Sequence, residues 1–216
     1  MNCKMLLLAL LAGTTLVAQA ATVQVTVLAR DGKPLANAVV VVQPQGGPKA
    51  PAQPPVQAII NQEKMQFSPQ VTVVPVGSTV TFANLDAWEH HVRGVPAGAT
   101  ALASGSAGGF EGRMGGKTDG KSAERVEFKL DQAGAFQLGC HLHGSMRGFL
   151  YVSDSPHTVM TNADGVATLT DLPEGAARVQ VWHTDQVLPH TPTDITVAAT
   201  TAVQVATQVA PRRRRP

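Results

Sequence analysis

Between Thr22 and Val27 polar and apolar residues alternate strictly, with Val23, Val25 and Val27 on one face and Thr22, Gln24 and Thr26 on the other. A period of two is the signature of a half-buried β-strand. Strand-like runs recur at residues 38–42, 71–76, 78–82, 125–130, 135–138, 148–152, 165–169, 177–183, 195–198 and 202–209, and a further β segment starts near Val56. Asp31-Gly32-Lys33-Pro34 is a turn between the first two strands. No stretch of any length carries the amphipathic period of a helix. Charged residues make up 15% of the chain, against about 25% in an ordinary globular protein, and 20 Gly and 15 Pro punctuate it. This composition excludes a coiled coil and a charge-driven disordered chain, and it disfavours a helical bundle. The expected fold class is all-β, built of sandwiches.

The organisation follows from local composition. Lys4, the apolar run Met5 to Leu11 and Ala18-Gln19-Ala20 read as a secretory signal peptide over residues 1–20, cleaved after Ala20. No other stretch approaches the roughly 20 apolar residues of a membrane span. Residues 44–55 form a Pro/Gly/Ala linker, and residues 96–123, rich in Gly, Ala and Ser, read as a long flexible loop. With Arg212 to Arg215 set aside, 13 of the 17 basic residues remain against 15 acidic ones. A nucleic-acid partner would want positive charge on the fold itself, so none is expected. The arginine run reads as a solvated tail, or as a steering element for an acidic redox partner.

Export removes Cys3 and leaves a single thiol, Cys140, which cannot form an internal disulfide. Its neighbours give it a role. Cys140-His141-Leu142-His143-Gly144-Ser145-Met146 places a thiolate, an imidazole and a thioether at C-x-x-H-x-x-M spacing, in a loop between two strands. Fifty residues upstream, the strand ending at Phe82 leads through Asn84 to His90-His91-Val92. Two imidazoles and a thiolate, with a weak axial thioether, make up a blue-copper donor set. Zinc also accepts Cys and His, but its structural sites usually complete themselves with a further Cys or His.

On these residues the chain resembles the cupredoxins. Phe82-x-Asn84-x5-His90-x-Val92 has the spacing that precedes the first ligand histidine in plastocyanin-type and amicyanin-type members. Gly134-x-Phe136-x3-Cys140-x2-His143-x2-Met146-Arg147-Gly148 resembles the amicyanin-type ligand loop. The resemblance spans about residues 56–152. It implies one type 1 copper ion held by His90, Cys140, His143 and Met146. A wider resemblance is to periplasmic proteins of the methylamine-utilization type. These pair a cupredoxin with a carboxypeptidase-regulatory-like β-sandwich, and their motifs match Thr161-Asn162-Ala163-Asp164-Gly165, Leu172-Pro173-Glu174-Gly175 and Val181-Trp182-His183. The expected arrangement is a cupredoxin Greek-key sandwich, residues 56–152, inserted in or followed by a second small sandwich. The second sandwich would comprise residues 21–55 and 153–210, with residues 211–216 a basic tail. Arg93-Gly94-Val95-Pro96, His141 and Gly144-Ser145 depart from these relatives around the metal.

His90 and His91 are consecutive, so in a strand only one can face the metal. The spacing from Asn84 favours His90, and His91 remains the alternative. With His90 as the ligand, the His91 ring is placed to link the two ligand loops by a hydrogen bond, and His141 to face solvent or a partner. His157, His183 and His190 have no soft donor nearby and read as ordinary surface or core histidines. Met114 alone is weak evidence for a further copper site. Asp119-Gly120 and Asp164-Gly165 are turns, without the alternating carboxylates of a calcium loop. The expected protein is not an enzyme. It is a periplasmic carrier of single electrons between transient redox partners, with copper binding or delivery, or an accessory role in a larger complex, as the alternative.

Overall fold

The computed structural model describes residues 20–46, 50–98 and 108–211. Residues 1–19 of the expected signal segment and the run from Arg212 to Arg215 therefore lie outside the described residues. The described chain is all-β. It comprises β1 (Ala21–Leu28), β2 (Val39–Pro44), β3 (Gln57–Glu63), β4 (Gln66–Ser68), β5 (Val71–Pro75), β6 (Ser78–Asn84), β7 (His90–Pro96) and β8 (Phe110–Met114). Then follow β9 (Arg125–Leu130), β10 (Gly134–Gly139), β11 (Arg147–Ser153), β12 (Thr158–Met160), β13 (Val166–Leu172), β14 (Gly175–Trp182), β15 (Thr193–Val197) and β16 (Thr200–Ala206).

Strands from the two ends of the chain pair with one another. One sheet has the order β13-β1-β16 and another the order β12-β2-β14-β15. The turn at residues 31–34 thus carries the chain from one sheet to the other, since β1 and β2 are not partners. Between the two sheets lies an almost purely aliphatic core. Val23, Val25, Val27, Val40, Val42, Val179 and Val181 dominate it, joined by Leu35, Leu169 and Leu172. The alternation of β1 is realised as a buried inner face and a half-exposed outer one. Burying that face is what stabilises the sandwich, at about 1.5–3 kcal/mol per aliphatic side chain.

The strands in between form a second β-sandwich inserted in the first. Its sheets have the orders β4-β3-β6-β9 and β5-β11-β10-β7-β8. Its core is aromatic in the middle, where Phe82 lies against Phe67, Phe110 and Phe128 at ring-centroid distances of 6.4, 5.9 and 6.1 Å. The two sandwiches meet where Trp182 of the outer one packs on Phe149 and Tyr151 of the inner one, at 6.0 and 5.6 Å. Burial there pushes the Tyr151 hydroxyl pKa up to about 12, with Asp154 adding to the effect.

The stretch 96–123 is not wholly a loop. Residues 110–114 form β8, antiparallel to β7, with His90 opposite Met114 and Val92 opposite Gly112. Gly112 concealed the strand by interrupting its alternation. A Cβ there would lie 3.2 Å from both Phe128 and Val126, so a side chain at this position would press those two aside by a few tenths of an ångström. Residues 99–107 lie outside the described part of the chain.

Candidate metal centre

Three strand ends converge at one edge of the inner sandwich. β7 opens with His90, β10 closes at Gly139 just before Cys140, and β11 opens at Arg147 just after Met146. The register of β10 against β11 sets Gly139 opposite Arg147, so residues 140–146 form a closed loop at that edge. Within it the Met146 amide donates to the His143 carbonyl at 3.0 Å, tightening the turn.

This geometry brings three donor atoms together. Cys140 Sγ lies 3.9 Å from His90 Nδ1 and 3.6 Å from His143 Nδ1, and the two imidazole nitrogens are 3.1 Å apart. Metal bonds of about 2.0 Å to nitrogen and 2.3 Å to sulfur put such donors roughly 3.3–3.8 Å apart, so the cluster already has the dimensions of a coordination sphere. Cys140 and His90 are buried, and His143 is half-buried. The Met146 side chain is buried in the same apolar cluster as Cys140, Leu138 and Phe136. Among the described residues, His90, Cys140 and His143 form the one His/Cys/Asp/Glu group compact enough to hold an ion. A thiolate with two imidazoles and a nearby thioether suits a soft or borderline metal such as copper, and not magnesium or calcium.

His91 points away from this cluster, as strand alternation requires. Its backbone amide donates to Cys140 Sγ at 3.4 Å. Its ring makes no hydrogen bond to the ligand loop: Nδ1 is buried without a protein partner, and Nε2 is 3.9 Å from Glu111. The link between the two loops is instead the amide and a ring contact, His91 lying on His141 at 3.9 Å. Burial holds the His91 imidazole below its ordinary pKa, helped by His141 and opposed by Glu111. His141 is exposed and 3.5 Å from Arg113, which itself pairs with Glu89 at 2.8 Å.

Two residues with roles here were legible only as spacers. The Asn84 side-chain amide donates to the carbonyls of Trp88, Met114 and Gly115 at 2.8, 3.2 and 2.9 Å, and its oxygen accepts the Asp86 amide at 3.0 Å. It thereby ties β6 to β8 across the sandwich, underneath His90. Asp86, buried, accepts a hydrogen bond from His90 Nε2 at 2.8 Å and from the amides of Lys64 and Met65 at 2.7 and 3.1 Å. Burial works to raise its pKa, but the bonds from His90, Met65 and Lys64 outweigh it and hold the carboxyl below the usual range. Nothing in the spacing of Asp86 marks this role, because the residues it holds come from β7 and from the β3–β4 turn.

Gln62, next to Asn84 in the parallel β3–β6 register, is fully buried, and neither amide atom has a protein partner. Met114 is fully buried in the core and not at the surface. His157 and His183 are buried in the outer sandwich and His190 is half-buried there; burial lowers the pKa of each.

Fold and site together define a class: a pair of β-sandwiches, one of them carrying a His–Cys–His cluster able to hold a metal. Solved structures similar to the chain include amicyanin from Paracoccus versutus (Thiobacillus versutus). The match is 22% identical over 44% of this chain and 80% of that one, with a TM-score of 0.35. They also include an oxidised proline-to-glycine mutant of amicyanin, 30% identical over 44% and 80% with a TM-score of 0.34. A reduced Cu(I) form of another amicyanin mutant is 29% identical over the same shares, again at 0.34. No protein-family model and no curated protein matches the chain.

Proposed function

We propose that this chain is a periplasmic copper protein whose single type 1 centre passes one electron at a time between redox partners. The observation that carries the reading is the convergence of Cys140 Sγ and the Nδ1 atoms of His90 and His143 within 3.9 Å. Met146 is buried in the same apolar cluster as Cys140. His90, Cys140 and His143 would hold the ion, with the Met146 thioether as a further, weak donor. Bound there, copper supplies a centre that alternates between Cu(II) and Cu(I) with little rearrangement.

The protein's own groups fit that task. The His91 amide on Cys140 Sγ withdraws charge from the thiolate and so helps to set the potential. His143, less buried than His90 and Cys140, offers an edge to a partner. Leu142, its neighbour in the chain, and Trp88, 6.5 Å ring to ring from His90, are exposed at 42 and 47%. Small, partly apolar faces of this kind suit short-lived encounters. The signal-like first twenty residues support export, and the run from Arg212 to Arg215 would steer an acidic partner towards the protein.

The alternative is a copper carrier or an accessory of a larger complex. It is favoured by the outer sandwich, which a plain shuttle does not need and which exposes Val187 and Leu188 at 89 and 73%. Repeated chemical reduction and reoxidation of the copper-loaded protein, with a competing copper chelator present, separates the two. A shuttle keeps its full complement of copper through the cycles; progressive loss on reduction would establish delivery instead.

A further inference from the structure

We infer that Asp86 is a positioning residue for the metal centre: its carboxylate fixes the His90 ring so that Nδ1 is the free, metal-facing nitrogen. The inference rests on the copper reading above for its redox consequence, but on geometry alone for the orientation. Asp86 is 7% exposed and His90 fully buried, and their contact is 2.8 Å. An ionised carboxylate can only accept, so His90 Nε2 must donate, and a neutral imidazole then carries its lone pair on Nδ1. That is the atom 3.1 Å from His143 Nδ1 and 3.9 Å from Cys140 Sγ.

The carboxylate is itself held from two sides. Its oxygens accept the amides of Lys64 and Met65, and its own amide donates to Asn84 Oδ1. Lys64 and Met65 form the two-residue turn between β3 and β4, and both have positive φ, 52° and 57°. Such a turn favours Asn-Gly, not Lys-Met. Asp86 therefore joins a strained surface turn, with exposed Met65 at its tip, to a buried metal-facing histidine. A negative charge behind a ligand histidine makes the ring a stronger donor and favours the more highly charged metal ion.

The bland alternative is that Asp86 only caps the turn. Asp86→Asn, made both in the natural chain and beside Lys64→Asn with Met65→Gly, separates the two, because the second background no longer needs the cap. The full mature protein is loaded with Cu(II), and potential, visible spectrum and copper affinity are measured. Loss of the carboxylate should weaken Cu(II) binding at least tenfold more than Cu(I) binding in both backgrounds, a rise of about 59 mV for one electron. Asp86→Glu should recover part of it. An unchanged potential, with only thermal stability lowered and that loss repaired by the new turn, would overturn the proposal.

Should Asp86→Asn not fold, nitrogen-15 spectra of the metal-free natural protein decide. They should show His90 protonated at Nε2, whereas protonation at Nδ1 would refute the orientation. The same spectra stand if the natural protein gives no blue copper band, so failure of the copper reading and failure of this one remain distinct.

Discussion

The two sandwiches solve the same packing problem with different materials. The outer one fills its core with valine and leucine, and its buried polar groups, Ser155, His157, Thr161, His183 and Thr207, all lie outside its strands. The inner one centres on phenylalanines in edge-on and tilted contact, and towards the His–Cys–His edge it buries His90, Asn84, Asp86 and Gln62. Buried polar groups cost free energy unless each finds a partner. Asn84 and Asp86 find several, whereas Gln62 finds none in the protein. The difference separates scaffold from instrument: the outer sandwich keeps polar groups out of its strands' core, while the inner one buries them at the edge where a cluster able to hold a metal is assembled.

The comparison is broken most strongly in the aromatic core. Phe82→Ala removes the ring that Phe67, Phe110 and Phe128 share and should cost about 3–5 kcal/mol. In calorimetry of the metal-free protein it should lower the inner transition and leave the outer one in place. A single transition that falls as a whole would mean that the sandwiches unfold as one body. Val179→Ala is the matching cut in the valine core. Removing its two methyls should cost about 2 kcal/mol and should leave the copper spectrum of the loaded protein unchanged. A shifted spectrum would show the outer core reaching the site.

The valine sandwich was legible because its strands obey a strict alternation, which Val23, Val25 and Val27 display without interruption. The approach of Cys140 to His143 was legible for another reason: the two share one loop, so their spacing in sequence fixes their spacing in space. What stayed hidden was held together across strands. Asp86 meets His90, Lys64 and Met65 only through the fold, and a Lys-Met turn carries no signal for positive φ. β8 was hidden because its inward position is Gly112, where a side chain would press Phe128 and Val126 aside. The His91 ring, expected to bond the loop of residues 140–146, makes a tilted ring contact with His141 instead, and the His91 amide makes the contact to sulfur.

Two smaller effects sharpen the contrast. Gln62→Met replaces an amide without a protein partner by an apolar chain of similar length and should stabilise the inner sandwich by about 1 kcal/mol. Equilibrium unfolding in urea reads this directly, and a loss of stability would show that the amide is satisfied.

The smallest effect is in the outer sandwich, where burial lowers the pKa of His157 and His183 from an ordinary value of 6.5. His183 Nδ1 also accepts the Asp185 amide at 3.1 Å, which requires an unprotonated nitrogen. The unfolded chain takes up these protons first as pH falls. Stability is therefore whole above 6.5 and declines below it, until the folded rings also protonate. The outer thermal transition should drop between pH 7 and pH 5, with the drop reduced in His183→Gln. An outer transition that is flat across this range would contradict the burial argument.

The most direct measurement is the visible absorption of the mature protein loaded with Cu(II), beside Cys140→Ser. An intense thiolate-to-copper band that reductant bleaches and the serine variant lacks is the expected result. A colourless protein, or one whose Cu(II) spectrum is the same with serine at position 140, would contradict a type 1 centre built on Cys140.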